Sequence, residues 1–408
     1  MSIDHDITII GGGLAGLSLA AALAPLSRSV LLVDSRPPTT DPAALDERSL
    51  ALGFGSRLIY GGIGVWDEIA SHATPIETIH VSEQGRLGAT RLHASDGGAA
   101  ALGYVVTLRA LTEALERRVA TAGNLTRWHR TRLTGIESDG ARVTLTLEDE
   151  RQESLRVTTA LLVGADGGAS SSRRLLGIGE QVEPYGQTAV VANVTSSRGH
   201  DNTAFERFTR SGPMALLPLA DDRSALVWSL PPQTAERILA LDDDAFLAEL
   251  PRHFGHRLGR FTASGPREGF PLKMTLARRL TAQRALLLGN AAHALHPIAG
   301  QGLNLGLRDV AVLAELLRRF DDPGDEMLLA IYRQRRATDI AATARASDGL
   351  LRLFDNPWPP LAHLRAAGLI ALDRLPPLKR RLARLGMGFR RGLQDPIFHG
   401  HPLNGKAP

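Results

Sequence analysis

Asp6-Ile-Thr-Ile-Ile10 runs straight into Gly11-Gly-Gly13-Leu-Ala-Gly16 and then into the small and apolar residues Leu17 to Leu26. An uncharged β-branched run, a glycine turn and an apolar helix-former run, in that order, read as strand, tight turn and helix. Val30-Leu-Leu-Val33 then supplies the next strand, so the opening is one βαβ unit of a parallel, doubly wound sheet. The glycines fit G-x-G-x-x-G at the mouth of the helix, where backbone N–H groups and the helix dipole favour a pyrophosphate. Asp34 closes the second strand 18 residues after Gly16, the position from which an acid binds the hydroxyls of an adenosine ribose. Arg36 stands two residues further on.

The same segment is apolar enough to be mistaken for a signal peptide or membrane span, but Asp4 and Asp6 precede it and four glycines interrupt it, which argues for a turn inside a soluble fold. A cytoplasmic location is the expectation. The chain has 408 residues and no cysteine, so thiol redox, iron–sulfur and thiolate-zinc chemistry are excluded and any redox role needs an organic cofactor. His293 and His296, like His253 and His256, stand three apart without a further ligand at zinc spacing, so no metal is expected. No G-x-S-x-G elbow supports hydrolysis, and Trp66, Trp128, Trp228 and Trp358 are too scattered for a halogenase pattern.

Outward from the first motif, Ala160 to Val163 reads as a buried strand ending in Gly164-Ala-Asp166-Gly-Gly-Ala-Ser170-Ser-Ser-Arg173. Ala285 to Leu288 reads as another, ending in Gly289-Asn290-Ala-Ala-His293. Thr188 to Val194, Met214 to Pro218 and Ser224 to Leu230 read as strands without intervening helices, hence a second, antiparallel sheet. Beyond Gly302 the pattern is helical, broken at Pro357, Pro359, Pro360, Pro376 and Pro377. The expected layout is a discontinuous nucleotide-binding domain (1–75, 101–180, 274–345), a substrate domain (76–100, 181–273) and a helical basic region (346–408). In that last region Lys379, Arg380, Arg381, Arg384, Arg390 and Arg391 interleave with Leu378, Leu382, Leu385 and Phe389. Such a helix either packs on the body or lies on an anionic membrane surface. No nucleic-acid recognition motif accompanies the charge.

The segment His296-Pro297-Ile-Ala-Gly300-Gln301-Gly302-Leu303-Asn304, followed by Asp309, decides which dinucleotide is bound. A simple dehydrogenase has no use for it, whereas a helix start at Gly300 to Gly302 favours the negative charge of a reduced flavin. The three glycine-containing segments together resemble the fingerprints of the single-component flavin aromatic hydroxylases. That resemblance implies a Rossmann-like FAD-binding domain joined to an antiparallel-sheet substrate domain, with FAD as cofactor and NADPH or NADH as electron donor.

Carried over onto this sequence, the resemblance assigns Gly11, Gly13, Leu14, Ala15, Gly16, Asp34 and Arg36 to the ADP half of FAD, and Arg48 and Arg109 to its pyrophosphate. Asp166 and Arg173 match the middle fingerprint. Gly289, Asn290, Pro297, Gly300, Gln301, Gly302, Leu303, Asn304 and Asp309 match the ribityl and flavin-ring fingerprint. Asn290 departs from the family's usual aspartate and brings no charge to the ribityl chain. His296 is the candidate catalytic group, as a base for a phenol or a proton relay at the flavin.

The stretches Phe205 to Pro218, Ser224 to Trp228 and His293 to Gly306 resemble the ubiquinone-biosynthesis branch of that family. This implies a polyprenyl methoxyphenol as substrate, with O2, through a flavin C4a-hydroperoxide. Partners implied are the inner-membrane surface and a ubiquinone-biosynthesis protein complex. The competing readings are a hydroxylase of a different quinone-pathway or other aromatic substrate, a flavin reductase of isoprenoid double bonds, and a flavin-holding scaffold of a biosynthetic complex.

Overall fold

The computed structural model describes residues 4–37, 48–356 and 358–388. Its parallel sheet follows from the most apolar strands. His5–Ile10 lies between Val30–Val33 and Ser154–Gly164, with Ile7 opposite both Val30 and Leu161. Leu125–Trp128 extends one side and Ala285–Leu287 the other, all parallel. Every side chain of Val30–Val33 is buried, as strands covered on both faces require.

The first helix, Leu14–Leu23, ends before the expected Leu26: Ala24 keeps helical dihedrals, but Pro25 has no N–H with which to continue the ladder. It packs beside Leu108–Ala120 and Gln301–Arg319. The latter is the central helix, buried at every position from Asn304 to Leu317. Its buried Arg308, Asp309 and Glu315 are therefore the exceptions that need partners.

The second sheet runs in the order Glu268–Ala277, Glu180–Ser196, Arg223–Leu230, Gly212–Pro218, Thr203–Thr209, Thr78–Glu83, Ala89–His93. It is antiparallel, as expected, except where Thr203–Thr209 pairs parallel with Thr78–Glu83. On its outer face Val190, Met214, Trp228 and Leu230 pack against Phe246, Leu250 and Phe254 of the helix Asp243–Phe254. The alternate residues face the other way, towards the nucleotide-binding unit. A bulge between Pro184 and Gln187 breaks the register with Glu268–Ala277.

Among the described residues three helices follow: Glu326–Asp355, Pro359–Arg374 and Pro376–Gly386, the last two started by paired prolines. The last helix is oriented against its composition. Lys379 is turned inward to Asp96 (3.6 Å) and Asp373 (3.8 Å), and Ala383 is buried with Met387. Leu375, Leu378, Leu382 and Leu385 are instead 40–49% exposed, flanked by exposed Arg380, Arg381 and Arg384. Phe389, Arg390 and Arg391 lie outside the described residues. No helix among the described residues is long and apolar enough to cross a membrane.

Candidate active site

The three glycine segments converge at the C-terminal ends of the parallel strands. Gly11 has φ +110°, and a Cβ there would lie 2.5 Å from the carbonyl oxygen of Ala165. One on Gly16 would lie 1.9 Å from the carbonyl oxygen of Gly11. Both glycines are thus required by close backbone approach within the protein. Gly13 is different: its φ is −78°, no side chain caps the helix it begins, and a Cβ there would meet nothing within 4 Å. The N–H groups of the first turn, at Leu14 and Ala15, therefore open onto unfilled space of the kind a phosphate takes.

Asp34 closes its strand as expected, with its carboxylate held by Arg36 at 2.9 Å. That contact raises the guanidinium pKa. Arg36 also donates to the carbonyl of Gly12 at 2.9 Å, so a ribose reaching Asp34 meets this exposed arginine first. Arg48 and Arg109 are brought together because Ser49–Gly53 pairs with Gly103–Thr107 and the N–H of Leu108 donates to the carbonyl of Arg48. The Arg48 guanidinium lies 4.6 Å over the Phe270 ring.

In the middle segment the polar side chains turn inward. Asp166 accepts from the Ser170 hydroxyl and the Ser172 N–H, fastening the turn that starts Ser171–Leu175. Arg173 is buried, donating to the carbonyls of Ala291 and Gly168 at 2.8 Å each and pairing with Glu180. Asp166 thus fixes the middle segment internally, and Arg173 ties it to the Gly289–Ala291 turn.

Gly289 adopts φ +57°, and a Cβ there would crowd Ala15 at 3.0 Å. Its N–H donates to fully buried Asp309, which also binds His293 Nε2 and Arg336 Nε at 2.6 Å each. Arg336 continues to Asp339 (2.8 Å), which holds Arg308 (2.7 Å). Burial alone would raise the Asp309 pKa, but His293, Arg336 and the Gly289 N–H outweigh it and hold the carboxyl below its usual range. Asp309 thus positions the turn from behind. Asn290, on the same turn, is exposed and bonds to no described residue.

Pro297 opens the turn Ile298–Gly300, and Gly300 (φ +59°) starts the central helix with no side-chain cap. Gln301, Gly302 and Leu303 form its first turn. A Cβ on Gly302 would meet nothing within 4 Å. Asn304 is saturated: its Oδ1 accepts from the Gly53 N–H and the Ser56 hydroxyl, and its Nδ2 donates to the carbonyls of Ala51 and Gly300. Two uncapped helix starts with room beside them, and a free amide at Asn290, fit FAD.

His296 is 1% exposed. Its Nδ1 accepts from the Ile298 N–H at 3.1 Å, so the ring proton lies on Nε2, which donates to Gln187 Oε1 at 3.3 Å. Burial depresses its pKa to about 4. Tyr185 meets the ring edge-on at 4.9 Å. The bulge at Pro184–Gln187 delivers both partners, and beside them lies a cavity of about 240 Å³ lined by Tyr185, Gln187, Phe208, Leu351 and Phe354. Phe208 and Phe354 stack at 3.6 Å. Ile298 of the flavin-loop turn is buried against Phe208 and Leu351, so cavity and loop are neighbours. Sequence reasoning missed Tyr185 and Gln187, which stand beside His296 and line the cavity.

A family model described as an FAD binding domain matches residues 4–347. The chain belongs to that family, as an FAD-dependent monooxygenase. It is similar to ubiquinone hydroxylase UbiL of Rhodospirillum rubrum, with 39% identity over 98% of this chain and 93% of the relative. It is also similar to 3-demethoxyubiquinol 3-hydroxylase of Escherichia coli K12, with 30% identity over 94% and 98%. Within the family it falls in the ubiquinone-hydroxylase branch. Among solved structures, p-nitrophenol 4-monooxygenase PnpA from Pseudomonas putida shares the fold, with TM-score 0.79, 16% identity, and 96% and 100% coverage.

Proposed function

We propose that this enzyme hydroxylates the ring of a polyprenyl methoxyphenol, a precursor of ubiquinone, with NADH or NADPH as electron donor and O2 as oxidant. The observation that carries the reading is the aromatic-lined cavity of Tyr185, Phe208 and Phe354 against the Ile298 turn. The wall formed by Tyr185, Phe208, Leu351 and Phe354 suits a substituted phenol ring, while Glu183, Asp348, Arg352 and Asp355 make the rest of the lining charged; the names of the relatives point to the same pathway. FAD supplies the oxygen activation. The first turns at Gly13 and Gly300 would hold its pyrophosphate and the anionic edge of its ring, and Asn290 would meet the ribityl chain. The protein's remaining tasks are to place the ring and to keep water from the reacting centre.

A polyprenyl tail is nearly insoluble, and the exposed stripe Leu375, Leu378, Leu382 and Leu385 with its flanking arginines supports docking on an anionic membrane surface, where the substrate resides. Lipid mass spectrometry of cells lacking the protein tests the function. Accumulated polyprenyl methoxyphenol, relieved by the intact chain and not by a Gly13 variant, is the expected result; an unchanged quinone profile overturns it. Oxygen uptake coupled to product excludes both an isoprenoid reductase and an inert scaffold.

A further inference from the structure

We infer that Glu206, and not His296, accepts the phenolic proton of the bound substrate. The inference rests on the hydroxylase reading above for the identity of the phenol, but its geometry is independent of the tail or ring position.

Glu206 lies in Thr203–Thr209, where successive side chains alternate between faces. Phe205 meets Phe254 edge-on at 5.5 Å, and Arg207 Nε donates to the carbonyl of His253, so both point to the outer helix. Ala204 packs with Leu102 and Met387, and Phe208 with Ile298 and Leu351, so both point to the nucleotide-binding unit. Glu206 stands between Ala204 and Phe208 on that inner face. Directly beside it are Ala215 on one neighbouring strand and Val81 on the other, neither able to hydrogen-bond through its side chain.

Glu206 is only partly buried, yet it has no hydrogen-bond or ion-pair partner among the described residues. The charged groups around it are committed elsewhere. Glu83, on the same face, is bound through both oxygens by Arg365. Arg91 lies opposite His80 on the outer side, as does Arg207. Beyond Phe208, Asp348 and Glu183 both engage Arg352. Burial, with no compensating cation, raises the Glu206 pKa to about 7. A carboxylate left in such a place costs solvation energy that a structural role would recover through a partner, whereas a proton acceptor has to be left open.

The other candidates are disqualified by their bonds. His296 has its acceptor nitrogen taken by Ile298 and its proton directed at Gln187. Burial, with Asp348 and Glu183, raises the Tyr185 pKa to about 12, which makes Tyr185 a donor at neutral pH. In the assigned step the phenol O–H bond breaks, its proton goes to a Glu206 oxygen and the electron pair stays on the ring oxygen. The phenolate so formed is electron-rich at its ortho and para carbons. The proton leaves to water when product departs.

The test uses the FAD-loaded full chain and two probes. The first is 4-nitrophenol, whose ionisation is read by absorbance as it binds. The wild type is expected to bind it as phenolate below the pH at which it ionises in water, and E206Q to bind it as the neutral phenol with the flavin spectrum unchanged. The second is 2-methoxy-6-prenylphenol. E206Q is expected to form hydroxylated product at least ~100-fold more slowly, E206D to recover part of the rate, and the acid limb near pH 7 to disappear in E206Q. Equal ionisation of nitrophenol by wild type and E206Q, or no ionisation by the wild type, overturns the assignment. If the Gln variant loses its flavin, E206D repeats the titration with the carboxylate withdrawn by one methylene, and an ionisation curve identical to wild type overturns it. Failure of the wild type to hydroxylate the prenylphenol counts against the substrate reading alone.

Discussion

Gly13 and Gly16 are three residues apart in one turn, and the structure predicts opposite phenotypes for the same added methyl group. At Gly13 the backbone is extended (φ −78°, ψ −177°) and the methyl group meets no protein atom within 4 Å. Restricting the unfolded chain stabilises by about 0.4–1 kcal/mol, and alanine at a helix N-cap costs about the same. The two nearly cancel, so Gly13→Ala apoprotein should unfold within about 1 kcal/mol of wild type. The methyl group then intrudes on the space assigned to the FAD pyrophosphate. Overpacking of about 1–3 kcal/mol weakens FAD binding by roughly 5- to 150-fold. At Gly16 the methyl carbon would lie 1.9 Å from the carbonyl oxygen of Gly11, a backbone clash that no side-chain rotation relieves. Gly16→Ala apoprotein should lose about 3 kcal/mol or more. Urea unfolding of apoprotein and titration with FAD, followed by flavin fluorescence, separate the cases. Wild-type FAD affinity in Gly13→Ala, or equal destabilisation of the two apoproteins, would refute the placement of the pyrophosphate.

Asp309→Asn puts an amide donor among the Gly289 N–H, His293 and Arg336. It should cost about 3 kcal/mol, measured by chemical unfolding; a loss under about 0.5 kcal/mol would contradict the network. The folded pKa of Asp309 is lowered, so its stabilisation is present above the usual carboxylate range and is lost as pH falls through that range. The variant should therefore show a shallower acid limb. His296 is depressed to about 4, so the unfolded chain binds its proton first and stability falls as pH drops from about 6.5 to about 4. His296→Asn should remove on the order of 3 kcal/mol of that fall, while His80, depressed likewise, keeps its share. An unchanged pH slope would show that His296 is not held neutral. Replacing Leu378, Leu382 and Leu385 together by Asp should weaken flotation with anionic vesicles roughly tenfold or more with FAD content unchanged; equal flotation would move the docking surface elsewhere.

The first βαβ unit was legible because its evidence is local: β-branched residues, a glycine turn and an acid at fixed spacing. The antiparallel sheet was legible from alternation, but its parallel pairing between Thr78–Glu83 and Thr203–Thr209 joins segments more than a hundred residues apart in sequence, and no turn announces it. Motif matching also could not tell which way a conserved-type side chain points. Asp166, Arg173, Asn304 and Asp309 carry fingerprint positions, yet their bonds run into the protein, where they set the loops in place. The basic C-terminal helix was read correctly as amphipathic in composition. That Lys379 faces inward and the leucines outward depends on Asp96 and Asp373, partners that the helix's own periodicity does not reveal.

Asn304 bears on how the enzyme is assembled. Its four bonds join Ala51, Gly53 and Ser56 to Gly300, so the loop proposed to cradle the isoalloxazine is fastened to the adjacent strand and helix start by the protein alone. The entropy of ordering that loop is spent when the chain folds. Newly made apoprotein should accordingly capture flavin in a single fast second-order phase, without a slow rearrangement after encounter, and release it by dissociation from a cradle that keeps its shape.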